Sequence, residues 1–185
     1  MSDRAGFTLW FTGLSGSGKT TIAELVGPEL ERRGALVEYL DGDVVRTHLS
    51  KGLGFSKEDR DTNIGRIGWV ASRFTRAGVV TLVSAISPYI ETRAAARGMV
   101  EEFGPFIEVF VDTSVEECAN RDVKGLYAKA FSGEIKEFTG VSDPYEAPPS
   151  PDVHIATEAL SPEESAAKVV GELEARGLIG RAVPA

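Results

Sequence analysis

"FTLWFTGLSGSGKTT", residues 7–21, sets a short apolar run of strand character directly before "GLSGSGKT", Gly13 to Thr20, which satisfies G-x-x-x-x-G-K-[ST]. Gly13, Gly16 and Gly18 can take backbone conformations that turn successive N–H groups toward a phosphate, and the helix that follows adds its positive N-terminus. Leu14, Ser15 and Ser17 complete the loop, and Thr21 opens the helix behind it. Lys19 supplies a mobile cation for β- and γ-phosphates, and the Thr20 hydroxyl can join the shell of Mg²⁺. A purely structural glycine turn would not require the Lys-Thr pair. The stretch therefore predicts nucleoside triphosphate binding, with ATP as the nucleotide and Mg²⁺ as its cofactor.

Working outward, the apolar runs "FTLWFTG", "LVEYLDG", "VVTLVSA", "IEVFVDT" and "DVHIAT" have strand length and β-branched or aromatic content. The gaps between them are long enough for crossover helices, which predicts an α/β three-layer P-loop fold: a five-stranded parallel sheet with helices on both faces. Ser56 with Asp59, Ser114 with Glu117 and Ser161 with Glu164 place capping hydroxyls three residues before carboxylates, and Pro162 suits a first helical position. Helices are expected to start near Gly18, Ser56, Pro88 and Ser161, and to end at Gly34, Gly78, Gly104 and Gly177. Residues 122–149 have no clean strand and read as a mobile lid. The whole chain, 1–185, reads as one domain with a frayed terminus at 1–6 and a tail at 179–185.

The formal charge of −8 and pI near 4.9 argue against nucleic-acid or membrane-surface partners, which need a basic field. No apolar run approaches a membrane span, and nothing at the start resembles a signal peptide, so a cytoplasmic location is expected. Cys118 is the one cysteine in the sequence and reads as a small packed side chain in a helix. His48 and His154 have neither triad nor metal partners in the pattern.

The phosphate loop alone leaves a kinase, a GTPase and an ATP-driven motor open. No N/T-K-x-D segment for guanine occurs, "RDVKG" at 121–125 does not match it, and the length is short for a motor, which favours a small-molecule kinase. The second strand run ends in "LDGD", leaving Asp41 and Asp43 at the carboxyl end of the sheet, where open α/β proteins place ligands. Asp43 is preferred as base or Mg²⁺ organiser, because Gly42 lets the chain turn and Arg46 follows on the same face of a short helix. Downstream, "GLGFSKEDRDTN", residues 52–63, offers an aromatic face, a cation and an amide, with Arg60 and Asn63 on one helix face.

The set "GLSGSGKTT", "LDGDVVR", "GLGFSKEDRDTNI", "SAISPY", "RDVKGLYAKA" and "GEIKEFTGVSDPYEAP" resembles the adenosine 5′-phosphosulfate kinases (adenylylsulfate kinases) from Phe7 to about Leu178. The resemblance implies transfer of the ATP γ-phosphoryl group to the 3′-hydroxyl of adenosine 5′-phosphosulfate, in sulfate assimilation. It places Phe55 and Phe138 on either side of the acceptor adenine and gives Arg46, Arg60 and Asn63 to the phosphosulfate and its neighbours. Ile86 and Ser87 would lie by the acceptor, Ser87 as a residue viewed in the family as a phosphoserine intermediate. Ser87 equally suits an N-cap before Pro88. Arg121 would face the ATP adenine, and Lys124, Lys129 and above all Lys136 would meet the anionic ligands. A homodimer and a separate ATP sulfurylase are further implications. Two positions depart from the family pattern: Gly65 and Ile90 stand where arginines are common. The readings left beside this one are a P-loop kinase for another small acceptor and a non-catalytic nucleotide-binding regulator.

Overall fold

The computed structural model describes residues 6–122 and 124–180. The expected frayed terminus and tail therefore fall largely on residues outside the described set. Five parallel strands, β1 (Thr8–Thr12), β2 (Val37–Asp41), β3 (Val80–Ser84), β4 (Phe106–Asp112) and β5 (Val153–Ala156), form one sheet in the order β2-β3-β1-β4-β5. Each coincides with one of the five apolar runs. Between them lie α1 (Lys19–Arg32), α2 (Gly42–His48), α3 (Lys57–Arg76), α4 (Ile90–Glu101), α5 (Val115–Arg121), α6 (Leu126–Phe131) and α7 (Pro162–Ala175).

Period-two alternation in β1 divides the core. Phe7, Leu9 and Phe11 join Ile22, Val26 and Leu30 of α1 and Val169 and Leu173 of α7 on one face. Trp10 points the other way, onto Ile64, Ile67, Val83, Val100 and Phe106 beneath α3 and α4. Burying each such Leu, Ile or Phe side chain is worth roughly 1.5–3 kcal/mol, so the sheet is held from both sides. Gly68 sets the spacing between α3 and α4, because a Cβ there would lie 2.8 Å from the Ala96 Cβ.

Three predicted caps form: the hydroxyls of Ser56, Ser114 and Ser161 accept from the amides of Asp59, Glu117 and Glu164 at 3.2, 3.1 and 3.1 Å. Gly34, Gly78 and Gly177 follow their helices at positive φ as expected. Gly104 has another role: α4 ends at Glu101, and a Cβ at Gly104 would meet the Gly6 carbonyl at 2.4 Å, so close chain approach demands the glycine. The helix expected near Pro88 begins at Ile90, with Tyr89 as its N-cap residue. That corrects the reading of Ser87 as a cap. The missing cap comes from far along the chain, since a Glu146 carboxylate oxygen accepts from the Ile90 amide at 2.7 Å. Within residues 122–149 the chain forms α6 and an isolated bridge between Thr139 and Asp143, but no strand among the described residues. No helix of the described residues is long and apolar enough to cross a membrane.

Candidate active site

The phosphate loop follows β1 with Gly13, Gly16 and Gly18 at φ 149°, 77° and 104°, a region side-chain-bearing residues rarely enter. Its carbonyls are drawn outward by named donors. Tyr127 of α6 donates its hydroxyl to the Ser15 carbonyl at 2.8 Å, and Thr113 donates to the Ser17 carbonyl at 3.1 Å. Lys19 donates to the carbonyls of Gly13 and Leu14 at 3.0 and 2.7 Å. With these carbonyls engaged, the loop offers its amides to an anion, apart from that of Ser17, which donates to the Leu14 carbonyl at 3.2 Å. Burial lowers the Lys19 pKa to about 8, against the attraction of Cys118, Asp41 and Asp43. Cys118 itself is fully buried against the Gly16 region, as its packed reading predicts.

At the loop's end the Thr20 hydroxyl donates to Asp41 Oδ2 at 2.7 Å, while Asp41 Oδ1 accepts the Asp43 amide at 2.9 Å and caps α2. Of the two aspartates, Asp41 and not Asp43 is the carboxylate that meets Thr20. A hydroxyl and a carboxylate at the end of a phosphate loop suit Mg²⁺, which takes few protein ligands and completes its shell with phosphate oxygens and water. The described residues contain no cluster of three or more His, Cys, Asp or Glu able to cage a metal. Asp43 is exposed and forms an ion pair with Lys124, in the segment between α5 and α6. Arg121, at the end of α5, pairs with Glu117 at 2.9 Å and lies 3.5 Å from the Ser17 carbonyl, beside the phosphate loop.

The second half of the site gathers on α2, the start of α3 and the lid loop. Arg60 is 6% exposed, and its guanidinium joins the two sides: Nε donates to the Phe55 carbonyl at 2.6 Å, Nη1 to the Thr139 hydroxyl and Nη2 to the Glu137 carbonyl. Asp143 adds a 3.7 Å ion pair. The Phe55 turn and the segment leading into Phe138 are thus held by one side chain. The Phe55 ring is 56% exposed, with the guanidinium carbons of Arg46 and Arg60 at 4.6 and 5.9 Å from its centroid. Burial, then the like charge of Arg60, push the Arg46 pKa below the usual arginine value, with Asp59 and Asp43 opposing. Asn63 is 5% exposed, and its Oδ1 has no hydrogen-bond partner among the described residues. Phe138 is half-buried, edge-on to Tyr127 at 4.9 Å and 78°. Lys129 pairs with Glu134 at 3.6 Å on the exterior, and Lys136 is exposed two residues before Phe138.

Ser87 departs from its predicted chemistry. It is 1% exposed at φ 43°, and its hydroxyl accepts from Trp10 Nε1 at 3.0 Å and donates to the Ala85 carbonyl at 3.2 Å. The hydroxyl is enclosed, and neither a carboxylate nor an imidazole is among its hydrogen-bond partners, so the role it shows is a structural one. Ile86 closes the same turn, its carbonyl accepting from Thr12 at 2.8 Å. Sequence reasoning missed Thr12, Tyr127, Thr139 and Asp143, and it also missed Arg93, whose buried guanidinium donates to the Ser87 carbonyl. Tyr127, Thr139 and Asp143 lie inside stretches that carry the family resemblance, but their individual roles are marked only by tertiary contacts. His154 stacks on Phe110 at 5.4 Å and contacts Asp112 at 2.8 Å, in keeping with a structural role. A cavity of 610 Å³ lies beyond the lid root between Leu14, Asp112, Gly140 and Tyr145, but none of Lys19, Thr20, Asp43, Phe55 or Arg60 lines it. Volume does not locate this chemistry.

A phosphate loop on a β2-β3-β1-β4-β5 sheet, with a second basic and aromatic pocket at the same edge, defines a small P-loop kinase. Residues 5–156 match the family described as Adenylylsulphate kinase. The chain is 54% identical over 177 residues to an adenylyl-sulfate kinase of Picosynechococcus, covering 96% of this chain and 98% of that one. It is 53% identical to a "Probable bifunctional SAT/APS kinase 2" of Sorangium cellulosum, covering 96% of this chain and 30% of that one. The solved APS kinase CysC of Mycobacterium tuberculosis, in complex with AMPPNP and APS, superposes with a TM-score of 0.89 at 45% identity, covering 92% of this chain and 99% of that one. The chain belongs to the adenylylsulfate kinase family.

Proposed function

We propose that the protein transfers the γ-phosphoryl group of ATP to the 3′-hydroxyl of adenosine 5′-phosphosulfate, giving 3′-phosphoadenosine 5′-phosphosulfate and ADP. The observation that carries this reading is the pair of like-charged guanidiniums, Arg46 and Arg60, set against the half-exposed Phe55 ring in an acidic protein. A ligand with an aromatic base and a phosphosulfate would stack on that ring and relieve the repulsion between the arginines. A nonaromatic small acceptor would leave the ring unused.

The loop amides and Lys19 bind the β- and γ-phosphates, with Lys19 exchanging loop carbonyls for phosphate oxygens. Thr20 and Asp41 would hold Mg²⁺, which supplies charge neutralisation of the phosphates when bound. Asp43 orients the acceptor hydroxyl and takes its proton, and Lys124 steadies that carboxylate from the lid. Asn63 Oδ1 offers a buried acceptor to an amino or hydroxyl group of the nucleotide. The segment 122–149 serves as the lid, closing over both ligands and excluding water that would waste ATP. Family membership supports a homodimer, checked by light scattering, and supply of the acceptor by an ATP sulfurylase.

The test is ADP release in Mg-ATP with adenosine 5′-phosphosulfate, with adenosine 5′-monophosphate and with gluconate. Stimulation by the phosphosulfate alone is expected. Equal stimulation by the monophosphate or gluconate would give the site to another acceptor, and no turnover with ATP still bound would leave a nucleotide-binding regulator.

A further inference from the structure

Two non-glycine residues of the described chain hold clearly left-handed backbone, Ser87 at φ 43° and Glu137 at φ 55°. Ser87 follows Ile86 in the turn after β3, and Glu137 precedes Phe138 in the lid loop, Ile86 and Phe138 being the neighbours that the family resemblance gives to the acceptor. Such backbone persists only where its surroundings hold it. Each of the two carbonyls accepts from a buried arginine, Glu137 from Arg60 and Ser87 from Arg93 at 2.7 Å. Arg60 already belongs to the proposed acceptor site. Arg93 does not.

Arg93 projects from α4 and is 3% exposed. Its Nε donates to Glu108 Oε1 of β4 at 2.8 Å, and its Nη2 donates to the Glu146 carbonyl at 2.7 Å, in the arm by which the lid loop returns to the sheet. That arm is tied again to the same turn, because the Glu146 amide donates to the Pro88 carbonyl at 2.8 Å and the Glu146 carboxylate caps Ile90. Tyr145 and Thr12 share a hydroxyl contact at 2.9 Å, and Thr12 also donates to the Ile86 carbonyl. The planar guanidinium serves a carboxylate and two carbonyls in fixed directions from one buried position, where an ammonium would offer three donors from a single point.

We infer that Arg93 is a positioning residue for the acceptor nucleotide, fixing the strained Ile86–Ser87 turn to the returning arm of the lid loop so that pocket wall and lid root move as one unit. It acts through backbone carbonyls and touches no reacting atom. The inference rests on the proposed acceptor for its kinetic consequence, but not for its structural one.

Arg93→Ala would strand the Glu108 carboxylate and confuse folding with function, so Arg93→Lys is the variant, keeping the charge while losing the fork. Its acceptor KM is expected to rise about tenfold while the ATP KM stays within about twofold, the signature of a displaced acceptor wall. Glu146→Ala, altered at an exposed side chain, should shift the acceptor KM in the same direction with little change in Tm. Hydrogen exchange on both variants reads the coupling without any substrate. Faster exchange of residues 85–90 together with 138–147 supports the inference, whereas loosening of one segment alone, or a lowered Tm with an unchanged acceptor KM, overturns it. Wild-type protein that fails to turn over adenosine 5′-phosphosulfate would sink the proposed reaction, and the exchange result would still decide the role of Arg93.

Discussion

In the phosphate loop the ligand-facing groups are backbone amides, shaped by three glycines at positive φ and by carbonyls drawn outward to Tyr127, Thr113 and Lys19. In the proposed acceptor pocket the corresponding work falls to side chains, Phe55, Arg46, Arg60 and Asn63, with Arg60 holding the left-handed Glu137 of the lid loop and Arg93 the left-handed Ser87 of the turn after β3. The donor half is a local structure: eight consecutive residues specify most of it. The acceptor half is assembled from α2, α3, α4 and the lid, so its geometry exists only in the folded chain. Changes in the first half should therefore strike the chemical step, and changes in the second should strike acceptor affinity.

Lys19→Met should have the largest effect, lowering kcat at least about a hundredfold, since it removes the mobile cation from the transferring phosphoryl. A kcat within a few-fold of wild type would detach Lys19 from transition-state stabilisation. Next, the double variant Phe55→Ala with Phe138→Ala should raise the acceptor KM by about a hundredfold, because base stacking is worth about 1–3 kcal/mol per contact, and leave the ATP KM nearly unchanged. An equal rise in both KM values would erase the division between the halves.

The two aspartates sharpen the comparison. Asp41→Asn should raise the Mg²⁺ concentration needed for half-maximal rate, since Asp41 holds the Thr20 hydroxyl, whereas Asp43→Asn should lower kcat at an unchanged Mg²⁺ requirement. The reverse pattern in a Mg²⁺ titration would return the metal to Asp43.

The smallest effect concerns pH. Burial holds Lys19 near a pKa of about 8 in the folded protein against 10.5 for the free side chain, so between those values the unfolded chain binds more protons. This group therefore destabilises the ligand-free protein fully below about pH 8, and the penalty is relieved as pH rises toward 10.5. Denaturant melts of wild type and Lys19→Met across that window should converge with rising pH. Parallel curves would mean that Lys19 is not titrating there.

The difference between the halves also explains what could be read in the sequence. Five apolar runs and three Ser-x-x-acid caps gave strands and helices directly, because their causes lie within a few residues. Phe55, Arg60 and Asn63 can be singled out as a set by their spacing, and Arg60 ties the Phe55 turn to the lid loop, while Asn63 sits buried one turn further along α3. Ser87 misled, because "SP" resembles a helix start, while the observed cap on α4 is Glu146, 56 residues from the amide it binds. The sequence favours Asp43 over Asp41 through the Gly42 turn and Arg46 on the same helix face, whereas the Thr20–Asp41 hydrogen bond bridges residues 21 apart. Arg93 was invisible for the same reason. Its partners come from β4, the turn after β3 and the lid loop, and no local pattern unites them.

The account stands most directly on one product. Purified protein is incubated with Mg-ATP and adenosine 5′-phosphosulfate, and the product is identified by mass and by the position of its new phosphate. The account predicts 3′-phosphoadenosine 5′-phosphosulfate in equal amount to ADP. ADP without that product, or a phosphate at any other position, would contradict it.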